Sequence, residues 1–433
     1  LRSIDIERSY FSRHSIVLIL LVAIALRAII SVLYGHETLY PDSEGYLDLA
    51  KRLINFDLAG YTGERSLGYP LLLALANLSN PAIVTIQFFI GMINLCVIYQ
   101  ICILLGINKK HSEMLTLAIC LYIPAIFFEY AILSETMTLL FMSLLFYLVL
   151  KILKSDKGKI TNYLLLALTC GILVLIKPFY IFVGPILAIL IYISKKKIIL
   201  ASSIFLFPTI IFLSWSTVNF VNTGYFTSTT FYGFNLAQNC VNFAENTSEE
   251  YKEIGETYAK YREANDTTDL ELAMTIWQAY PELQARTGLS FPDLSKKLFD
   301  YSIVTIKMNM ADYAKQVFIS WRDFWKTSLY WEYDNFAING SNVVLKYICY
   351  AERILLQIIK IAFILLIPIC IIRSVQQRKV SFQLIAITII ASASILQAMM
   401  TYGTNSRFSF PFEMIMVICV AWEIHQRFNK QKS

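Results

Sequence analysis

The feature that most constrains this chain is a succession of apolar runs, each of about 16 residues or more, separated by polar segments. They fall at 15–34, 82–105, 114–131, 133–150, 161–177, 179–194, 198–217, 346–372, 380–400 and 408–424. A helix rises about 1.5 Å per residue, so roughly 20 such residues cross a hydrocarbon core of about 30 Å. The pattern predicts an all-α polytopic membrane protein with about ten transmembrane helices. Composition agrees: only 16% of the residues are charged, where soluble domains carry about 25%. Phe, Tyr and Trp make up 14%, residues that favour the belts where a ring faces lipid and its polar edge faces water.

The distribution of charge gives an orientation. One set of short segments is basic throughout: Lys109 and Lys110; Lys151, Lys154, Lys157 and Lys159; Lys195, Lys196 and Lys197; Arg373, Arg378 and Lys379, together with terminal segments carrying Arg2, Arg8 and Arg13, and Arg427, Lys430 and Lys432. The first loop on the other side, 35–80, sets Lys51, Arg52 and Arg65 against Glu37, Asp42, Glu44, Asp48, Asp57 and Glu64, a net of −3. The positive-inside bias therefore predicts a multi-pass protein of the cell's inner (plasma) membrane, with both termini cytoplasmic and this acidic, amphipathic loop extracytoplasmic. The first apolar run is too long, and too early in a repeated pattern, for a cleaved signal peptide.

One outer segment is long. The expected organisation is an N-terminal transmembrane catalytic module at 1–217, an extracytoplasmic, mostly helical domain at 218–345, and C-terminal transmembrane helices at 346–433. Within the insertion, Thr247-Ser248-Glu249-Glu250 and Ser290-Phe291-Pro292-Asp293 read as helix starts. From Leu294 to Trp325 a stripe of Phe299, Ile303, Ile306, Met310, Tyr313, Val317, Trp321 and Trp325 recurs at helical spacing and is expected to pack on the membrane-embedded body or the lipid surface. The eight cysteines form no CxxC and no metal or redox pattern, and Cys240, alone in the long polar loop, has no partner there.

Chemistry-bearing residues gather at the outer face. Asp42, in Pro41-Asp42-Ser43-Glu44-Gly45-Tyr46, reads either as a helix N-cap or as an ionised general base for an acceptor hydroxyl. Glu44 reads as a first-turn acid favoured by the helix dipole. Glu135, between Ser134 and Thr136, lies at the outer turn between the third and fourth spans. It is either a solvated loop acid or a second active-site acid that orients the acceptor or binds a cation. Two carboxylates without a histidine cluster do not define a metal centre, so no metal ligand is assigned; cofactor need is left unknown, with a divalent cation at these carboxylates an open alternative. Arg65, Lys177 and Arg407 each lie at the same face, where a cation either snorkels to lipid phosphates or joins others around one phosphate. Arg27, deep in the first span, is expected in a structural ion pair.

The order of these motifs is similar to that of a known group. Pro41-Asp42-Ser43 with Tyr46, Arg65 before Gly68-Tyr69-Pro70 and its Leu-rich continuation, Gln87, Leu133-Ser134-Glu135-Thr136, Lys177-Pro178, and Arg407-Phe408 with Pro411 together resemble the bacterial branch of the protein O-mannosyltransferase and aminoarabinose-transferase group, glycosyltransferases of the C superfamily. The likeness covers most of 15–190 and the last two spans. Departures are Leu67 where Pro is usual, Lys177 where Arg is common, and acids spaced as Asp-Ser-Glu, which weakens a role for Glu44. The resemblance implies a type-B-like fold of the C superfamily and transfer of one sugar, with inversion, from a polyprenyl-phosphate donor to a glycan, lipid or protein acceptor. It implies catalytic roles for Asp42 and Glu135 and substrate-binding roles for Glu44, Tyr46, Arg65, Tyr69, Lys177 and Arg407. Partners are then the donor, the acceptor and the bilayer, with no nucleic acid. The alternatives are a lipid-linked glycan polymerase or ligase, and a transporter or flippase; the last should show polar or broken helices near the midplane.

Overall fold

The computed structural model of the chain describes residues 2–155, 159–264, 269–403 and 405–430. Of the basic residues named above, Lys157 and Lys432 lie outside the described residues. In chain order the helices are α1 (Arg2–Leu33), α2 (Pro41–Ile54), α3 (Gly68–Leu75), α4 (Asn80–Leu105), α5 (Lys109–Cys120), α6 (Ile123–Tyr130), α7 (Glu135–Lys154), α8 (Ile160–Ile176) and α9 (Val183–Lys195). They continue with α10 (Ile198–Thr223), α11 (Tyr232–Gln238), α12 (Lys252–Ala264), α13 (Asp269–Thr287), α14 (Phe291–Met308), α15 (Met310–Phe324), α16 (Ser341–Gln377), α17 (Phe382–Met400) and α18 (Asn405–Lys430). Among the described residues the only β-type contacts are two isolated bridges, Tyr34 with Phe336 and Thr38 with Ala131.

Most apolar windows of the sequence lie on single helices; that at 179–194 opens with a 3-10 turn, Pro178–Phe182, before α9. Among the described residues eight helical segments are long and apolar enough to cross a membrane, and the chain is a multi-pass membrane protein. The window at 114–131 is instead the pair α5 and α6, bent by 50°. Pro124, in the first turn of α6, has no N–H to continue the α5 ladder. The neighbouring Ile123 N–H donates to the Glu352 carboxylate of α16 at 3.0 Å. The window at 161–177 is the 17-residue α8. Helix α7 occupies the middle of the bundle, packed against α4, α8 and α18, with Met142, Leu145, Phe146 and Val149 fully buried in the main core.

The insertion between α10 and α16 has its own core, built around Phe234, Tyr258, Ile276, Leu294 and Leu298. Phe234 stacks between Trp277 at 4.6 Å and Phe291 at 4.9 Å. Ser290 caps α14 as expected, its hydroxyl accepting from the Asp293 N–H at 3.4 Å. The aromatic stripe that follows is two helices, not one. Asn309 breaks it, with backbone angles of −129° and 47°, while its amide donates to the Asn246 and Thr305 carbonyls and so competes with the helix ladder. The stripe does pack on the membrane body: Tyr313 donates to the Met399 carbonyl at 2.9 Å and Trp321 to Ser394 Oγ at 3.2 Å. Helix α10 continues to Thr223 and α16 begins at Ser341, so the two flanking spans run past the expected boundaries at 217 and 346.

Two buried ion pairs join the spans. Arg27 of α1 makes the expected pair, a two-pronged contact with Glu129 of α6, its Nε lying 2.7 Å from Oε2. The other was not read from sequence: Lys360 of α16 donates to Glu413 Oε1 at 2.7 Å, to Ser409 Oγ at 2.8 Å and to the Lys326 carbonyl at 2.8 Å. All three ammonium protons are thereby used. Removing one member of a buried pair strands the other charge, at a cost of about 3–5 kcal/mol, whereas replacing both with apolar groups is close to neutral. Arg27→Met should therefore lower thermal stability in detergent strongly, and adding Glu129→Met should restore most of it.

Candidate functional site

The end of α1 and the turn between α6 and α7 are tied together by backbone. The Thr38 N–H donates to the Tyr130 carbonyl and the Ile132 N–H to the Thr38 carbonyl, both at 3.0 Å. This places the start of α2 beside the start of α7. Tyr40, not Asp42, is the N-cap residue of α2. The Tyr40 N–H donates to Ser43 Oγ at 2.9 Å, and that hydroxyl donates to the Ile132 carbonyl at 2.9 Å. The capping reading of Asp42 is corrected accordingly: Ser43 does the tethering, and the Asp42 carboxylate is left to ion pairing.

Asp42 is held by two guanidiniums. Its Oδ1 accepts from Arg65 Nη2 at 2.9 Å and its Oδ2 from Arg407 Nη1 at 2.6 Å. Through Nε the same Arg407 donates to Oε1 of Glu135, which also accepts from Lys177 Nζ at 2.7 Å. One arginine at the start of α18 thus bridges two carboxylates from the first loop and α7. Glu135 is 0% exposed, which excludes the solvated-loop reading. It sits in the first turn of α7, where the helix dipole favours an anion, and its second oxygen has no hydrogen-bond partner. Asp42 keeps a third of its side chain exposed, so it is the more accessible of the two carboxylates. The cluster holds three cations and two carboxylates, leaving one positive charge.

The glycines of the two loop motifs have steric reasons. A Cβ on Gly45 would lie 2.8 Å from Arg65 Nε, so its absence lets the guanidinium lie against α2. Arg65 then sits between the rings of Tyr46 at 4.7 Å and Phe231 at 4.4 Å, a favourable cation–π arrangement. A Cβ on Gly68 would lie 2.7 Å from the Ile176 backbone nitrogen. Ser66 Oγ donates to the Ile176 carbonyl at 2.9 Å. The first loop is thereby docked on the end of α8, next to Lys177. Tyr69 donates to Gln87 Oε1 at 3.1 Å, and the Gln87 amide donates to the Glu129 and Ala131 carbonyls at 2.8 and 3.0 Å. The Tyr46 ring meets Tyr69 edge-on at 5.0 Å. Of the eight residues singled out in the sequence, Asp42, Glu135, Arg65, Lys177 and Arg407 form one ion-pair network, and Tyr46 and Tyr69 underlie it. Glu44 is exposed on the other side of α2 and stays outside the network.

Residues missed by sequence reading complete the walls. Tyr330, from the segment before α16, has its ring 5.9 Å from the Arg407 guanidinium, meets Tyr40 at 5.4 Å and stacks on Phe128 at 5.0 Å. Phe231 comes from the outer insertion. With 26 tyrosines and 29 phenylalanines in the chain, neither carried a distinguishing signal. Burial opposes ionisation of Asp42, yet Arg407 and Arg65 beside it prevail and hold its carboxyl well below the usual carboxylate range. Burial likewise works against the Arg65 charge, and Asp42 more than offsets it. The two carboxylates converge on Arg407, so a divalent cation at this pair would compete with that guanidinium; among the described residues no cluster of three His, Cys, Asp or Glu side chains could hold a metal.

No protein-family model matches the chain, and no curated protein matches it. Solved structures do share its fold. One is the archaeal oligosaccharyltransferase AglB from Archaeoglobus fulgidus in complex with an inhibitory peptide and a dolichol-phosphate, with 12% identity over 98% of this chain and 51% of that one and a TM-score of 0.51. Another is the Archaeoglobus fulgidus oligosaccharyltransferase tethered to an acceptor peptide containing the NVT sequon, with 11% identity over 97% of this chain and 50% of that one and a TM-score of 0.52. The chain spans about half the length of these structures. The chain thus shares its all-helical membrane fold with these oligosaccharyltransferases.

Two outcomes follow from this geometry. Because the Asp42 carboxyl is depressed in the folded state below its ordinary value of about 3.9, its contribution to stability is fully present above that pH and is lost only as pH falls through the lower folded value. The stability difference between wild type and Asp42→Asn should be flat from about pH 5 to 8 and shrink below about pH 4, measured by thermal unfolding in detergent. Gly68→Ala should destabilise by about 1–3 kcal/mol through overpacking against α8, and should make the 63–70 loop accessible to limited proteolysis.

Proposed function

We propose that the chain is an integral membrane glycosyltransferase that moves a single sugar from a polyprenyl-phosphate donor to an acceptor hydroxyl at the extracytoplasmic face, with inversion. The observation that carries this reading is Arg407 held by both Asp42 and Glu135, with Arg65 and Lys177 alongside. The excess positive charge suits a phosphate, and planar guanidiniums match its oxygens two at a time. A phosphate leaves as a stable anion, so the reaction needs cations on the leaving group and a base on the acceptor rather than a strong acid.

The acceptor oxygen attacks the anomeric carbon as the bond from that carbon to the phosphate oxygen breaks. The phosphate departs with the electron pair, and the hydroxyl proton passes to Asp42. In the resting site Asp42 is a poor base because two arginines stabilise its ionised form. A donor phosphate drawing on Arg407 and Arg65 weakens both contacts and raises the basicity of Asp42 only when substrate is bound. Glu135, fully buried, serves by holding Arg407 and Lys177 in place. The acceptor remains open in class: glycan, lipid or protein.

A second reading concerns the donor. The structures sharing the fold are oligosaccharyltransferases, one of them holding a dolichol-phosphate, which favours comparing donors with more than one sugar. Transport is less well supported. The charges found deep in the spans are locked in the Arg27–Glu129 and Lys360–Glu413 pairs, and the cavity beside Arg27 measures only about 30 Å³.

The test is release of polyprenyl phosphate by protein in nanodiscs, offered donors bearing different labelled sugars or oligosaccharides with acceptor extracts. Asp42→Asn should lower release by about 10²–10⁴-fold while still binding donor, and Arg407→Ala should weaken donor binding itself. Near-normal transfer by Asp42→Asn would remove Asp42 as the base.

A further inference from the structure

A second cationic cavity lies outside the network described above. It measures about 250 Å³ and is lined by Leu329, Trp331, Tyr333, Lys346, Tyr350 and Arg353. Tyr330 separates it from the candidate active site, its ring turned towards Arg407 while its two chain neighbours line the cavity. The Lys346 ammonium lies 4.9 Å from the Tyr333 ring centre and the Arg353 guanidinium 5.8 Å from that of Tyr350. Arg353 donates through Nη2 to the Thr327 carbonyl at 2.8 Å, but its buried Nε has no hydrogen-bond partner. Neither cation forms an ion pair among the described residues. The surrounding acids are engaged elsewhere or exposed: Glu352 is turned to the Ile123 amide, Glu413, within electrostatic reach of Arg353, is paired with Lys360, and Glu332 and Asp334 are exposed on the loop.

The length of α16 sets the depth of this cavity in the membrane. The helix has 37 residues, about 55 Å at about 1.5 Å per residue, far more than the hydrocarbon core of about 30 Å requires. Arg353 and Arg373 bracket the apolar run between them, and at that rise they stand about 30 Å apart. Within the run the polar Gln357 and Lys360 point inward, to the Trp325 and Lys326 carbonyls. Ile354, Leu355, Ile358, Ile361 and Leu365 are exposed on the outer side. Arg353 therefore marks the outer edge of the hydrocarbon, and the turns from Lys346 to Arg353 lie at the level of lipid phosphates.

We propose that this cavity is a binding site for the phosphate of a membrane lipid, separate from the cluster around Arg407. Lys346 Nζ and Arg353 Nε donate to the phosphate oxygens. Trp331, Tyr333 and Tyr350 flank the first carbons, and the chains run down the exposed apolar face of α16. The same chemistry serves a polyprenyl monophosphate and an anionic phospholipid. The inference stands on the cavity and the helix, independently of the transferase reading.

Native mass spectrometry of the delipidated full-length protein tests it, with undecaprenyl phosphate, phosphatidic acid and inorganic phosphate as probes. The expected result is a retained lipid adduct in wild type that weakens about tenfold in Lys346→Glu, is restored in Lys346→Arg, and persists in Arg407→Gln. Preference for undecaprenyl phosphate would assign the site to the carrier lipid, and equal retention of phosphatidic acid to bilayer phospholipid; both support it. Adducts unchanged in Lys346→Glu, or lost in Arg407→Gln alone, would overturn the site. Inorganic phosphate binding as tightly as either lipid would overturn its assignment to a lipid.

Discussion

One guanidinium holds one end of this bundle together. Arg407 contacts carboxylates from the first loop and from the start of α7, and it does so almost wholly out of water. Desolvating such charges costs several kcal/mol for each ion unless the geometry is good and the remaining hydrogen-bonding positions are met. Much of the surrounding structure supplies that geometry. The Thr38 pairing sets the distance between the two acids, the Gly68 contact seats the first loop beside Lys177, and Gln87 braces the turn that presents Glu135. Aromatic rings from three separate segments then close over the cations where water would otherwise stand.

Such an arrangement is stable at rest and open to exchange. The two arginines satisfy Asp42 fully enough to keep it ionised, yet Asp42 is also the most exposed acid of the network, at 33%. Glu135 has no such access. The asymmetry between two otherwise similar carboxylates comes from their supports: one on a short amphipathic helix at the surface, the other in the first turn of a buried span. Environment, not residue type, separates the acid that water reaches from the acid locked between Arg407 and Lys177.

The helices were legible because crossing lipid demands long apolar runs, but the bend inside the run at 114–131 was not read from them. That Asp42, Glu135, Lys177 and Arg407 share one end of the bundle was legible too, since each lies near the end of an apolar run and alternate run ends fall at the same face. The pairing within their network was not legible: it joins residues from 23 to 365 positions apart, and local pattern carries no information about that. For the same reason Asp42 looked like a cap, because a first-turn acid before an amphipathic run has that signature whether or not a distant arginine claims it. Lys360 and Glu413 escaped notice because a single charge in an apolar run reads as an interruption until its partner on another helix is seen. The Asn309 break was hidden by side-chain periodicity that continues across it.

The bend between α5 and α6 has a consequence for how the chain is divided. The sequence separates naturally at the outer insertion, but the break in the third span leaves the Ile123 amide to be satisfied by Glu352, from a helix on the far side of that insertion. In a membrane interior an unmet amide has no water to turn to. Trp422 near the C-terminus makes a similar tie to the Leu105 carbonyl. The N-terminal and C-terminal spans are therefore modules of the gene and not of the mechanics. Evolution can lengthen or replace the insertion between them, but it cannot send the halves apart as independent proteins without also finding a new cap for the third span.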